Sequence, residues 1–138
     1  MASVEVNIWM ALKSRVGTLS LGSPSVPVVY PKQDAPAGQH IRVAFMPNRV
    51  QRPGVGSDST HVRPGILQLS LMTPVAEQDA SEVDLELAGQ IAQHFPADLT
   101  LSFAGTQVRV TRAPDVAAAF RDDAWWMTPV SVPWESYK

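Results

Sequence analysis

The chain contains no cysteine, few aromatic residues (7%) and no apolar run long enough to span a bilayer. Without cysteine there is no disulfide, no thiolate nucleophile and no thiolate metal ligand, and the composition fits a protein made in a reducing cytoplasm. A membrane-crossing helix needs about 20 consecutive apolar residues, and no stretch here approaches that length. The opening Met-Ala-Ser-Val lacks basic residues and a continuous apolar segment, which predicts no signal peptide. Lysine and arginine are also absent from Pro64 to Val108.

That last absence shapes the charge pattern. The formal net charge is only −2. However, Lys32, Arg42, Arg49, Arg52 and Arg63 lie between positions 32 and 63 against Asp34 and Asp58 alone. Glu77, Asp79, Glu82, Asp84, Glu86 and Asp98 accumulate in the next stretch. Two readings stand side by side. Either solvated faces differ in sign, or basic and acidic surfaces meet in neighbouring copies, where complementary charge sets orientation more than affinity.

Reactive constellations are missing as well. His40, His61 and His94 stand alone, with no HxH or HExxH spacing, so each is expected at the surface and no metal site is expected. Gly54-Val-Gly56-Ser-Asp-Ser lacks the Gly-Lys-Ser/Thr ending of a phosphate loop. There is no G-x-S-x-G elbow. Arg49, Arg52 and Arg63 suit phosphate contacts, but the chain has neither a basic balance nor a nucleic-acid reading motif. These features argue against an enzyme, a cofactor and sequence-specific nucleic-acid binding.

At 138 residues a single domain over 1–138 is expected, able to bury roughly two-thirds of its unfolded surface. A helix is predicted over 3–16, capped by Ser3, with Ile8, Leu12 and Val16 on one stripe and Gly17 as a left-handed stop. Trp9 lies on the flank of that stripe. Val26 to Tyr30 reads as a short extended piece, too rich in proline for a central strand. His40 to Pro47 alternates as a half-buried strand. Residues 48–64 carry almost no apolar side chains and form a long connection, expected to be flexible until a partner orders it.

The second half is more regular. Ile66 to Met72 is a strand with Leu67, Leu69 and Leu71 on one side. Overlapping capping boxes at Asp79–Glu82 and Ser81–Asp84 open a helix. Its stripe is Val83, Leu87, Ile91 and Phe95, and its wet face is Glu82, Glu86, Gln90 and Gln93. Leu99–Phe103 and Gln107–Thr111 form a hairpin about Ala104-Gly105-Thr106. Asp115 to Asp123 reads as a turn or a helical piece. In the last strand Trp126, Thr128, Val130, Val132 and Trp134 share one face, with Trp125 and Met127 on the other. Pro129 and Pro133 have equal parity, so their missing donors fall on one side, as an edge strand would place them. Trp125 is either cover under a loop or an interface anchor.

The strand RPGILQLSLMTP, the helix DASEVDLELAGQIAQHFP, the hairpin LTLSFAGTQVRV and the closing WWMTPVSVPWES resemble a phage-related family of small virion proteins. Its members are similar to the tail terminators of long-tailed phages, and HIRVAFMPN and the N-terminal helix extend the resemblance over nearly the whole chain. The resemblance implies an α+β subunit with a mixed or antiparallel sheet flanked by two main helices. It further implies a homo-oligomeric, hexameric ring, formed by the free chain or only on the tube. The implied partners are the tail tube protein and the head–tail connector, in a virion assembled in the host cytoplasm. No catalytic residue carries over. Arg49, Arg52 and Arg63 fall in the loop that the resemblance directs toward the tube or lumen. With Glu82, Glu86 and Trp125 they are the candidate assembly residues. Another neck or tail-completion protein, or a monomeric ligand-binding or hydrolytic domain, is the competing reading.

Overall fold

The computed structural model describes residues 3–21, 26–51, 61–75 and 81–137, the side chain of Ser81 excepted. The order is α1 (Val4–Val16), β1 (Val28–Val29), β2 (His40–Pro47), β3 (Val62–Pro74) and α2 (Ser81–Gln93). There follow β4 (Thr100–Phe103), β5 (Thr106–Val110), β6 (Asp115–Val116), β7 (Phe120–Asp122) and β8 (Trp125–Tyr137). All eight strands join one mixed sheet, in the order β1-β2-β3-β8-β5-β4, with β6 and β7 also on β8. The fold is thus α+β, and richer in strand than the sequence pattern implied.

Helix α1 forms where its cap and stripe predict. Ser3 is extended and its Oγ accepts the Val6 N–H at 3.3 Å. Ile8, Ala11, Leu12 and Val16 are buried. Gly17 corrects the expected left-handed stop. Its φ is −63°, and its N–H simply continues the helical pattern onto Lys13 O.

The ladder between β3 and β8 is antiparallel from Val62↔Tyr137 to Pro74↔Trp125. Register and period-two geometry then assign the faces. Leu67, Leu69 and Leu71 stand beside Phe45, Val43 and Ile41 of β2 and beside Val132, Val130 and Thr128 of β8, respectively. This face joins the side chains of both helices in one core, through Leu12 and Val16 of α1 and Ala88, Ile91 and Phe95 of α2. Both helices therefore cover the same side of the sheet. In α2 the expected stripe is shifted, since Val83 is 56% exposed and Ala88 takes the buried place. At the start of the helix Gln39 Nε2 donates to both Asp84 Oδ1 (3.3 Å) and Thr73 Oγ1 (3.0 Å). The two capping boxes rest on side chains outside the described residues.

Strand β8 is central, not an edge, which overturns the sequence expectation. The side-parity argument survives the correction. Pro133 O accepts Thr111 N–H and Pro129 O accepts Ala117 N–H, both at 3.0 Å, so both prolines turn their donor-less side away from β3. The β3 side pairs without a gap. On the other side the neighbour is cut into β5 (at 134–135), β6 (at 130–131) and β7 (at 125–127), broken at the two prolines. A proline cannot complete a ladder pair there. The turn or helical piece expected at 115–123 is consequently β6 and β7.

Two further expectations change. The connection 48–64 is shorter than its composition suggested, because Asn48 N–H reaches Pro64 O and Gln51 exchanges both bonds with Val62. Residues 52–60 lie outside the described set. The β4–β5 turn is the two-residue Ala104-Gly105, with φ of 49° and 80°, and Thr106 belongs to the strand. Positive φ at both central positions matches the twist of a tight hairpin.

The ends of the helices are pinned together. Arg15 Nε and Nη2 donate to His94 O at 2.9 and 2.7 Å. His94 Nε2 returns to Arg15 O at 3.0 Å and Thr18 Oγ1 at 2.8 Å. Burial first, and the Arg15 charge besides, hold the His94 imidazole below its ordinary pKa, against an opposing push from the Arg15 carbonyl. A histidine depressed on folding favours the neutral form. Its contribution is complete above pH ~6.5 and is lost as pH falls through the folded value. Urea melts should therefore show wild type losing stability from pH 7 to pH 5, and the His94→Gln variant losing less over the same interval.

At the opposite end of the sheet, Gly65 faces Trp134 across the ladder. A Cβ on Gly65 would lie 2.2 Å from Trp134 Cζ2. The indole lies over the glycine and stacks on Phe45, with centroids 5.6 Å apart and planes 8° off parallel. Gly65→Ala should force the ring off this stack and cost ~1–3 kcal/mol, as overpacking does. A lowered urea midpoint with a changed near-ultraviolet dichroism signal would register it.

Candidate assembly surface

The aromatic row continues from Trp134 and Phe45 to Trp9 (5.2 Å) and from Trp9 to Tyr30 (6.4 Å, edge-on). Beside it, where α1 meets the ends of β2 and β3, a cleft of about 110 Å³ opens. Its walls are Ile8, Phe45, Pro47, Val50, Pro64 and Trp134, with Glu5, Asn48 and Arg63 contributing polar groups. Arg63 Nη1 pairs with Glu5 Oε1 at 2.9 Å. The Glu5 carboxyl is held below the usual carboxylate range, first by its own main-chain N–H at the start of α1. Desolvation pushes the other way, and the Arg63 charge adds to the lowering. Trp134 Nε1 and Arg63 Nε are both buried with no acceptor. A buried donor left unpaired costs about 1–3 kcal/mol.

The sequence-predicted residues divide between the two ends of β3. Arg49 is exposed just beyond β2, at the cleft end. Arg63 is not in a loop, as expected, but in β3, half-buried, with its charge met by Glu5. Arg52 lies outside the described residues. At the far end Trp125 pairs with Pro74. Its ring packs edge-on against His40 with centroids 4.8 Å apart. His40 thereby departs from the surface expectation, being 2% exposed, with Nδ1 3.0 Å from Gly38 O. Glu82 and Glu86 are exposed on the outer side of α2, and Gln90 Nε2 donates to Glu86 at 3.3 Å. Arg49 and Arg63, with Glu5 beside them, thus lie at one end of the thirteen-residue β3, roughly 40 Å from Trp125 at ~3.3 Å per residue.

Sequence reasoning missed Glu5, Phe45 and Trp134 as parts of one site. In the sequence Glu5 is only an acidic residue suited to the first turn of a helix. A Gly-x-Leu strand facing a Trp-ended strand was the one available signal, and it needs the register to be seen.

The sheet face turned away from the helices is buried at its Trp125 end and opens at the other, where Met46 and Ile66 are exposed. It carries His40, Arg42, Ala44 and Met46 on β2, Ile66, Gln68, Ser70 and Met72 on β3, and Met127, Pro129, Ser131 and Pro133 on β8. Arg42 supplies the lysine- or arginine-type charge in these rows, and its Nη2 lies 3.5 Å from Met127 Sδ. Antiparallel sheets with a solvated face normally alternate to polar and charged side chains. No described helix covers this face, and among the described residues no three histidines or carboxylates converge as a metal site. No helix among them is long and apolar enough to cross a membrane.

Comparison with known proteins extends these observations. No curated protein matches the chain. A solved structure, of a protein known by a catalogue number alone, superposes with a TM-score of 0.72 at 22% identity, over 94% of this chain and 92% of the other. At that identity the likeness establishes the fold. The family model described as phage tail terminator protein matches residues 7–134. That match runs from the first buried turn of α1 to the tryptophan over Gly65, and by it the chain belongs to the phage tail terminator family.

Proposed function

We propose that this chain is a structural subunit that assembles as a ring of copies, hexameric in its complete form, on the end of the phage tail tube. There it halts tube polymerisation and offers the joining surface for the head connector. The family match over residues 7–134 carries this reading. The physical arrangement supports it. Arg49 lies at one end of the sheet, beside the Glu5–Arg63 pair. Glu82, Glu86 and Trp125 belong to the other. Head-to-tail contacts between unlike ends close into a ring when the rotation between copies divides a full turn. Opposed charge at the two ends sets the orientation of that contact. The exposed Met46 and Ile66 on the sheet face turned away from the helices supply a further surface that a neighbour can dry.

Arg63 belongs to this surface in a different way from Arg49 and Arg52, because it is already tied to Glu5. The first test therefore removes Arg49, whose side chain has no partner among the described residues, together with Arg52. Wild-type chain mixed with tail tubes lacking a terminator should place a ring of density on one tube end in electron micrographs and fix the tube length. Arg49→Ser/Arg52→Ser should melt like wild type, since surface changes are usually worth within ±0.5 kcal/mol, yet leave tube ends bare. Equal decoration by the variant would remove these arginines from the surface. Absence of decoration by wild type would overturn the capping role.

A further inference from the structure

Among the described residues no strand pairs with the outer side of β4, and β1 pairs only with Ile41 and Arg42 of β2. The sheet therefore has two open borders, β4 at one side and the second half of β2 at the other. Edge strands are usually guarded by charge, proline or extreme shortness, because an unpaired main chain invites a neighbour. β6 and β7 follow that practice, being two and three residues long and carrying Asp115, Arg121 and Asp122. The two open borders do not. β4, Thr-Leu-Ser-Phe, and Val43–Met46 of β2 contain neither charge nor proline.

The bonds already made fix which main-chain groups each border offers. Val110 N–H donates to Leu99 O at 2.9 Å, so odd-numbered residues of β4 face β5, and Thr100 and Ser102 turn N–H and C=O outward. Ile41 N–H donates to Pro27 O at 2.9 Å on the β1 side, so Phe45 N–H and C=O point the same way, beyond the end of β1. Val43 O is open too, because the next β1 position placed to donate to it is Pro31, which has no N–H. Each pairing along β2-β3-β8-β5-β4 is antiparallel, so β4 runs in the direction of β2. A second copy placed alongside with its helices on the same side therefore sets its β2 parallel to β4. In a parallel pair, a residue whose N–H and C=O face the neighbour lies beside one whose groups do not, with both side chains on one face. Thr100 and Ser102 share the face away from the helices with Ala44 and Met46. Strand direction and hydrogen-bond parity thus select the same arrangement, whereas an antiparallel contact would turn the second copy's helices to the opposite side.

We infer that β4 of one copy adds in parallel to the open border of β2 of the next, so that the sheet continues from subunit to subunit. In the register with Thr100 beside Ala44 and Ser102 beside Met46, Thr100 N–H donates to Val43 O, Phe45 N–H to Thr100 O, and Ser102 N–H to Phe45 O. This uses each free main-chain group of β2 between β1 and Pro47, whose missing N–H ends the ladder. The exposed Met46 gains a neighbour, and Asp98 comes to the end of β1, where Lys32 is exposed. This inference rests on the reading of the chain as a ring subunit and names one of its contacts. The contact joins unlike borders, as a closed ring requires.

The lack of cysteine makes the test direct. A Met46→Cys/Ser102→Cys double variant, oxidised at high concentration and on tail tubes, should give a ladder of disulfide-linked species extending beyond the dimer on a non-reducing gel. Neither single variant should cross-link, because the contact joins unlike positions. A dimer from Ser102→Cys alone would mean that β4 pairs with β4 about a two-fold axis, and overturns the inference. Adding Thr100→Pro removes an outward N–H that β5 does not use. It should lower the ladder yield about tenfold, the worth of one buried hydrogen bond. If a melting curve shows that Thr100→Pro has lost its fold, hydrogen exchange on the wild type decides, since the Phe45, Thr100 and Ser102 amides should slow on assembly. No ladder under either condition overturns the contact, as does a ladder that a folded Thr100→Pro leaves unchanged or exchange that assembly does not slow. Tube ends decorated without a ladder overturn the contact while leaving the capping role standing. A ladder with bare tube ends leaves the contact standing and overturns the capping role.

Discussion

The antiparallel ladder between β3 and β8, thirteen residues on each strand, is the constraint from which the rest of the molecule follows. Its register decides which side chains share a face. Leu67, Leu69 and Leu71 stand beside Val132, Val130 and Thr128 and give the two helices an apolar floor. A slip of one residue would send each of these to the other side. Gly65 and Trp134 resist that slip at one end, because the indole occupies the space a Cβ would need. At the other end Trp125 closes over His40.

The prolines of β8 show how a correct local argument can lead to a wrong global placement. Equal parity put both missing donors on one side, and an edge strand is the usual home for such a pattern. The structure keeps the parity but fills that side with β5, β6 and β7, each too short to reach across a proline. The interruption yields a curled sheet whose centre is one long strand paired throughout on one side and in pieces on the other. What appeared to be a guard against pairing is a device for dividing it.

Membership of the tail terminator family makes this architecture functionally coherent. A subunit that works by fitting against other subunits needs a rigid frame, distinct ends and surfaces that water does not fully satisfy. Here the frame is the sheet with both helices on one side. The ends differ in composition, with the Glu5–Arg63 pair and Trp134 at one and Trp125 over His40 at the other. Beside the cleft, Trp134 Nε1 and Arg63 Nε have no partner among the described residues. Around these two donors the cleft walls are mostly apolar, and Glu5 balances the Arg63 charge.

The elements themselves were legible in the chain. Alternation placed β2, β3, β4, β5 and β8, and the Ser3 cap and four-residue spacing placed α1, because these depend on neighbours within a few positions. The register-dependent facts were not legible. Whether β8 is central, whether His40 is buried, which residues of α2 touch the sheet, and that Glu5, Arg63 and Trp134 meet in one cleft all depend on strands distant in sequence. Local periodicity fixes which way a side chain points relative to its own backbone. Only the pairing of β3 with β8, and the closing of both helices over one face, fixed what it points at.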